Sequence, residues 1–225
     1  MNMNYASTLL SNGSIPSECD RSVTSILDLK TMLKYTNKEF FMHDILIALA
    51  KASILTALHQ PVDLNLTQAL QTYPQLKEKG AVFVTLTKGK NEQLRGCIGS
   101  LEAWRPLYKD VISNARSAAL EDDRFPPLKK EEFSQIKVEV SVLSKPKEID
   151  YTDESDLKKK ITPRKDGVIL RHWLHRATYL PQVWEELPTF ESFFSSLCQK
   201  AKLEPNCLKD HPTIEVYRVE KYKEH

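Results

Sequence analysis

The chain has 225 residues, 41% of them hydrophobic and 28% charged, with a formal net charge of +2 from 32 basic and 30 acidic side chains. That is enough apolar material to bury a sizeable core, which excludes wholesale disorder, and the near balance of charge offers no basic stripe of the kind a nucleic-acid surface carries. The polar N-terminus lacks the basic start and apolar run of a signal peptide. The longest apolar stretch, 45–58, is interrupted by Lys51 and Ser53 and is too short to span a bilayer. A cytoplasmic protein with no membrane partner is therefore expected.

Residues 1–20 read as a polar tail, and Val23, Ile26, Leu27 and Leu29 give a short helix over 20–34. Thr36 followed by Glu39 has the pattern of a capping box, opening a helix that runs to about His59 before Pro61. A short helix over 66–73 comes next. The β-branched run 81–87 and a second strand over 93–98, with a Lys-Gly-Lys-Asn turn between them, predict a hairpin. Arg105-Pro106 is expected to start a helix reaching Leu120. Strict alternation over Ile136–Leu143 gives the clearest strand. A charged helix over 153–160, a hairpin from 167–170 and 177–180, a helical turn over 181–187, a helix over 189–202 and a last strand over 213–219 complete the chain. Helices and hairpins mix without a regular βαβ beat, so the fold class is α+β, with antiparallel or mixed sheets and flanking helices.

The four cysteines, Cys19, Cys97, Cys198 and Cys207, are irregularly spaced and form no C-x-x-C pair. The spacing argues against a metal centre, and reduced thiols are expected.

Residues 94–99, Leu-Arg-Gly-Cys-Ile-Gly, resemble the signature of the AMMECR family. Further segments match in order: the strand from Gly80, Asp122 with Arg124-Phe125-Pro126-Pro127, the strand around Val140, Arg176-Ala177-Thr178, Leu180-Pro181-Gln182-Val183-Trp184, and Lys200-Ala201. The similarity covers about residues 40–222 and looks closest to bacterial members in its C-terminal half. Two departures are Asp123, where the family usually has proline, and Lys202, where it usually has glycine. The resemblance implies a variable tail and short helix over 1–35, then an AMMECR-type α+β domain over 36–225 with a larger and a smaller subdomain. It implies as partners a Memo-type protein and a radical SAM enzyme. The family's biochemical activity is not settled, so the resemblance names neither a reaction nor a cofactor.

Cys97 is the sharpest chemical candidate. A thiol acts as nucleophile once an electropositive neighbour favours the thiolate. Arg95 has the same strand parity as Cys97, which puts both on one face of a regular strand, unless a bulge at Gly96 breaks the parity, and makes Arg95 the candidate neighbour. Gly96 and Gly99 allow close approach of backbone, to a ligand or to another strand. Asp122 and Arg124 either orient a ligand or fix the loop before Pro126, and Glu139 and Ser141 lie on the polar face of the central strand. Arg176 closes a segment, Arg171-His172-Trp173-Leu174-His175-Arg176, suited to an anion or a stacked base. No Ser-His-Asp order, phosphate-cradling loop or dinucleotide fingerprint is present. The reading is a small-molecule site beside Cys97; the alternative is an adaptor that docks the implied partners.

Overall fold

The computed structural model describes residues 37–224. The expected tail, the short helix over 20–34 and Cys19 lie outside the described residues, as does the cap at Thr36. What is described has two lobes, each a sheet with helices on one side, which is the α+β architecture expected.

The first lobe is built on a five-stranded sheet with the order β2-β1-β4-β9, β3 pairing with β1 off this path. Its strands are β1 (Lys79–Lys88), β2 (Gln93–Gly99), β3 (Arg105–Pro106), β4 (Ile136–Leu143) and β9 (Val219–Lys223), and their pairings are antiparallel. Alternation assigns the faces. Val82, Val84, Leu86, Val138 and Val140 point to one side and are buried against helices α1 (Asn37–Ala57) and α3 (Leu107–Leu120). Helix α1 buries Ile45, Leu46, Ile47 and Leu49 in near succession, so it sits inside the lobe rather than on its surface. The short helix α2 (Leu66–Thr72) is capped by Asn65, whose side chain accepts from Gln68 N–H at 3.0 Å.

The expected start of α3 at Arg105-Pro106 is two residues early. These two residues pair with Lys79 and Gly80 as β3, and Pro106 is extended (φ −52°, ψ 142°), so the helix begins at Leu107.

The second lobe is a four-stranded sheet, order β5-β8-β6-β7, made of β5 (Lys147–Ile149), β6 (Gly167–His172), β7 (His175–Tyr179) and β8 (Thr213–Tyr217). Helices α4 (Glu154–Lys160), α5 (Val183–Glu186) and α6 (Phe190–Lys200) accompany it. Its core is aromatic: Trp184 stacks on Phe193 at 3.7 Å between centroids, and its indole N–H donates to Asp166 O at 3.0 Å. The three-residue strand β5 is too short to leave an alternation in the sequence. The last predicted strand is two: β8 ends at Tyr217, and after Arg218 the chain crosses to the first sheet as β9. Ser144 and Arg218 tie the crossing, Ser144 N–H donating to Arg218 O at 2.8 Å and Arg218 N–H to Ser144 Oγ at 2.9 Å. Ala81, Leu143, Ile169 and Tyr217 form the small apolar cluster that joins the lobes.

The expectation of reduced cysteines is corrected here. Cys198 on α6 and Cys207 in a following 3₁₀ turn form a disulfide across nine residues, and both are buried. Cys97 carries a free thiol. The pairing depends on how α6 ends, which spacing alone does not reveal. Lys202 adopts φ +61°, its N–H donates to Gln199 O at 2.8 Å and Leu203 N–H to Cys198 O at 2.9 Å. This is a Schellman turn with lysine in the place that favours glycine, and it folds the chain back toward Cys198. Lys202→Gly is therefore expected to stabilise the protein by about 0.5–1 kcal/mol, the relief of the left-handed lysine minus the entropy glycine adds to the unfolded chain. Urea unfolding measures this, and a loss of stability would show that the lysine makes a compensating contact.

Among the described residues no helix is long and apolar enough to cross a membrane, and no group of three or more His, Cys, Asp or Glu side chains converges to hold a metal ion.

Candidate functional site

Strand β2 does not run regularly past Arg95. Gly96 pairs with Leu86 and Leu94 with Thr87, so Arg95 is an extra residue without a partner on β1. Such a bulge breaks the alternation of faces. Leu94 and Cys97 accordingly line the same cleft, and the shared face expected for Arg95 and Cys97 is lost. The Arg95 side chain is buried elsewhere, donating from Nη2 to Pro126 O at 2.9 Å and to Glu132 Oε2 at 3.1 Å, and from Nε to Glu132 Oε1 at 3.3 Å. Arg95 first, then Lys88, lowers the Glu132 pKa to about 2. The cation at Cys97 is instead Arg124.

Asp122 organises that pairing from the loop after α3. One of its oxygens accepts the Cys97 N–H at 2.8 Å, and both accept from the Arg124 guanidinium, at 2.9 and 2.8 Å. Arg124, together with the Cys97 and Arg124 amides, holds the Asp122 carboxyl far below the usual carboxylate range in spite of its burial. Arg124 Nη2 also donates to Cys97 O at 3.3 Å. Phe125 lies within cation–π range of both arginines. Asp122, Arg124 and Phe125 thus clamp the loop to the middle of β2.

Cys97, Thr85, Glu139 and Lys223 sit on one rung across β2, β1, β4 and β9, and Gly99, Phe83, Ser141 and Lys221 on the next. The Cys97 Sγ lies 3.3 Å from Thr85 Oγ1. Ser141 Oγ donates to Glu139 Oε1 at 3.3 Å, and Lys221 Nζ lies 3.8 Å from that carboxylate. Leu180 and Gln182 from the second lobe complete a cleft of about 350 Å³. It has a thiol, two cations at Arg124 and Lys221, the Glu139 carboxylate, and apolar walls at Phe83, Leu94, Leu180 and Val219. Thr85 and the β9 residues were not singled out from sequence, because only strand pairing places them beside Cys97.

The two candidate glycines have packing partners. A Cβ on Gly96 would lie 2.1 Å from Ala118 O of α3, and one on Gly99 2.2 Å from the Phe83 ring. Gly96 lets the helix approach the strand, and Gly99 accommodates Phe83.

Arg176 is not with this group. It forms an ion pair with Glu102 and lines a second cleft with Gly80, Trp104 and Tyr217, across the Ala81–Tyr217 cluster from Cys97. The hairpin tip between β6 and β7 is a two-residue turn with His172 paired to His175. Trp173 there has φ +54° and is 91% exposed, and Leu174 is fully exposed.

A family model described as AMMECR1 matches residues 47–222. A protein of Saccharolobus islandicus is 46% identical over 146 residues, 61% of this chain and 63% of that protein, so the matched part spans less than two thirds of that relative. A protein of Sulfolobus acidocaldarius is 40% identical over 166 residues, covering 72% of each. The crystal structure of an uncharacterized protein from Pyrococcus horikoshii superimposes with a TM-score of 0.66 at 34% identity, covering 84% of this chain and 93% of that one. These relatives are archaeal, which corrects the expectation of a bacterial-type member.

Proposed function

The chain belongs to the AMMECR1 family, and we propose that its cleft beside Cys97 binds or modifies a small anionic molecule. The observation that carries this is the placement of a free thiol in a cleft whose cations, Arg124 and Lys221, stand on either side of the sheet face. Arg124 is presented by a buried carboxylate rather than left to wander in solvent, which is how a positioned anion contact is built. Apolar walls supply the body of the site and the cations its specificity. Cys97 is the candidate nucleophile, Arg124 the anion contact, and Glu139 a carboxylate within the same cleft. Arg95, Gly96 and Asp122 serve as positioning residues.

The test is alkylation of Cys97 in the folded protein, read by peptide mass spectrometry. Iodoacetate, an anion, is expected to gain on neutral iodoacetamide relative to their ratio at a free thiol, by about fivefold or more at low salt, and to lose that advantage as salt screens the two cations. Cys97→Ser is expected to leave stability within about 1 kcal/mol of the parent. A thiol that reacts only after unfolding would end this reading.

A second reading is an adaptor that docks the Memo-type and radical SAM proteins. What favours it is the hairpin tip, where Trp173 and Leu174 stand fully in water on a strained turn, an arrangement that suits a partner surface. An inert Cys97 leaves this reading standing. The proposal places the protein in the cytoplasm.

A further inference from the structure

The second cleft, about 320 Å³, lies between the start of β1, the β2–β3 connection and strands β6 and β7. Four cationic side chains line it, Lys79, Lys145, Arg171 and Arg176, with the Glu102 carboxylate; from outside the lining, Glu215 pairs with Arg171 at 2.7 Å and Glu78 with Lys145 at 3.7 Å. Glu102 engages Arg176 through Nη1, and no other hydrogen bond of that guanidinium is formed with the described residues. Lys79 is exposed and has no ion pair among the described residues. Beside these cations stands Trp104, 74% exposed on the β2–β3 connection.

Lys79 is the lining cation left without an ion pair among the described residues, and such a cation attracts an anion. An indole held in water at the cleft edge adds a stacking surface for a flat ring. The pairing of the two selects a ligand with both features. We propose that this cleft binds a nucleoside phosphate, its base on Trp104 and its phosphates on Lys79 and Arg176. The site is independent of the Cys97 cleft, since the apolar cluster of Ala81, Leu143, Ile169 and Tyr217 joins the lobes between the two.

Isothermal titration of the full chain with ADP tests it, with pyrophosphate and adenosine as separate probes. ADP is expected to bind at one site per chain, more tightly than either probe, and to weaken with added salt. Trp104→Ala is expected to lower ADP affinity about tenfold, by loss of stacking, while leaving pyrophosphate affinity unchanged. Lys79→Gln and Arg176→Gln are expected to lower both by about tenfold, as loss of a charged hydrogen bond does. Trp104 and Lys79 are exposed, so those two variants report on binding even if Arg176→Gln disturbs the fold. Cys97→Ser is expected to bind ADP like the parent. Absence of ADP binding at millimolar concentration overturns the proposal. So does equal affinity for pyrophosphate and ADP, which would make this a simple anion site, or loss of ADP binding in Cys97→Ser with Lys79→Gln unaffected, which would move the ligand to the first cleft.

Discussion

Replacing Asp110 by alanine is expected to destabilise the protein by about 3–5 kcal/mol, the usual effect of removing one partner from a buried charged network. Asp110 is 1% exposed. It accepts from Val82 N–H at 2.8 Å, Ser100 Oγ at 2.8 Å, Arg105 Nε at 2.7 Å and Asn114 Nδ2 at 3.0 Å. The Val82 amide decides the size of the effect. It is buried where β2 has already ended, since the ladder between β1 and β2 stops at Phe83 and Gly99. No strand is there to take that N–H, and an orphaned buried amide carries its full desolvation penalty. Asn114 bridges the same point by donating to Val82 O at 3.0 Å. Urea unfolding of Asp110→Ala and Asp110→Asn measures the loss, with asparagine expected to retain part of the network. A change below about 1 kcal/mol in the alanine variant would mean that solvent replaces the carboxylate without penalty.

The second large effect is expected at Gly96. Alanine there is expected to cost about 3 kcal/mol, at the upper end for overpacking, because its Cβ would meet the backbone oxygen of Ala118 at 2.1 Å. A helix backbone carbonyl, here in the last turn, cannot step aside as a side-chain tip can. The strand and helix must separate, and Cys97, next in sequence, moves with the strand. Thermal and urea unfolding separate this from a ligand-contact role. If Gly96 serves only to admit a ligand, stability stays near the parent value and binding alone is lost.

Much of the fold was legible in the chain. The alternation of Ile136–Leu143 and a helix reaching Leu120, though not its start, come directly from periodicity, and Thr189 acts as the N-cap of α6. What stayed hidden depends on pairing between distant segments. Arg95 and Cys97 have the spacing of same-face neighbours, yet one extra residue in the ladder separates them. Arg176 sits in a motif of the same family as Cys97 but faces the other cleft. The Cys198–Cys207 bridge needs a left-handed lysine that no spacing rule anticipates. Asp122 and Arg124 were recognisable as a pair, but their attachment to the Cys97 backbone follows only from the loop's path over β2.

The crossing at Ser144 and Arg218 has a consequence for how the chain acquires its shape. The second lobe is nested inside the first: the chain leaves the first sheet after β4 and returns as β9, where Leu143 and Val219 face each other across the ladder. The first sheet therefore cannot close its outer edge until everything between those two residues has been gathered in. Compacting the nested lobe first shortens that loop, and long-range closure becomes easier as the effective loop shrinks. Connectivity thus favours forming the nested lobe first. An intermediate with the second lobe folded would leave β4 as an open edge, the surface on which such species associate. Because Lys221 reaches the Cys97 cleft only on β9, the candidate site is complete only when β9 has paired with β4.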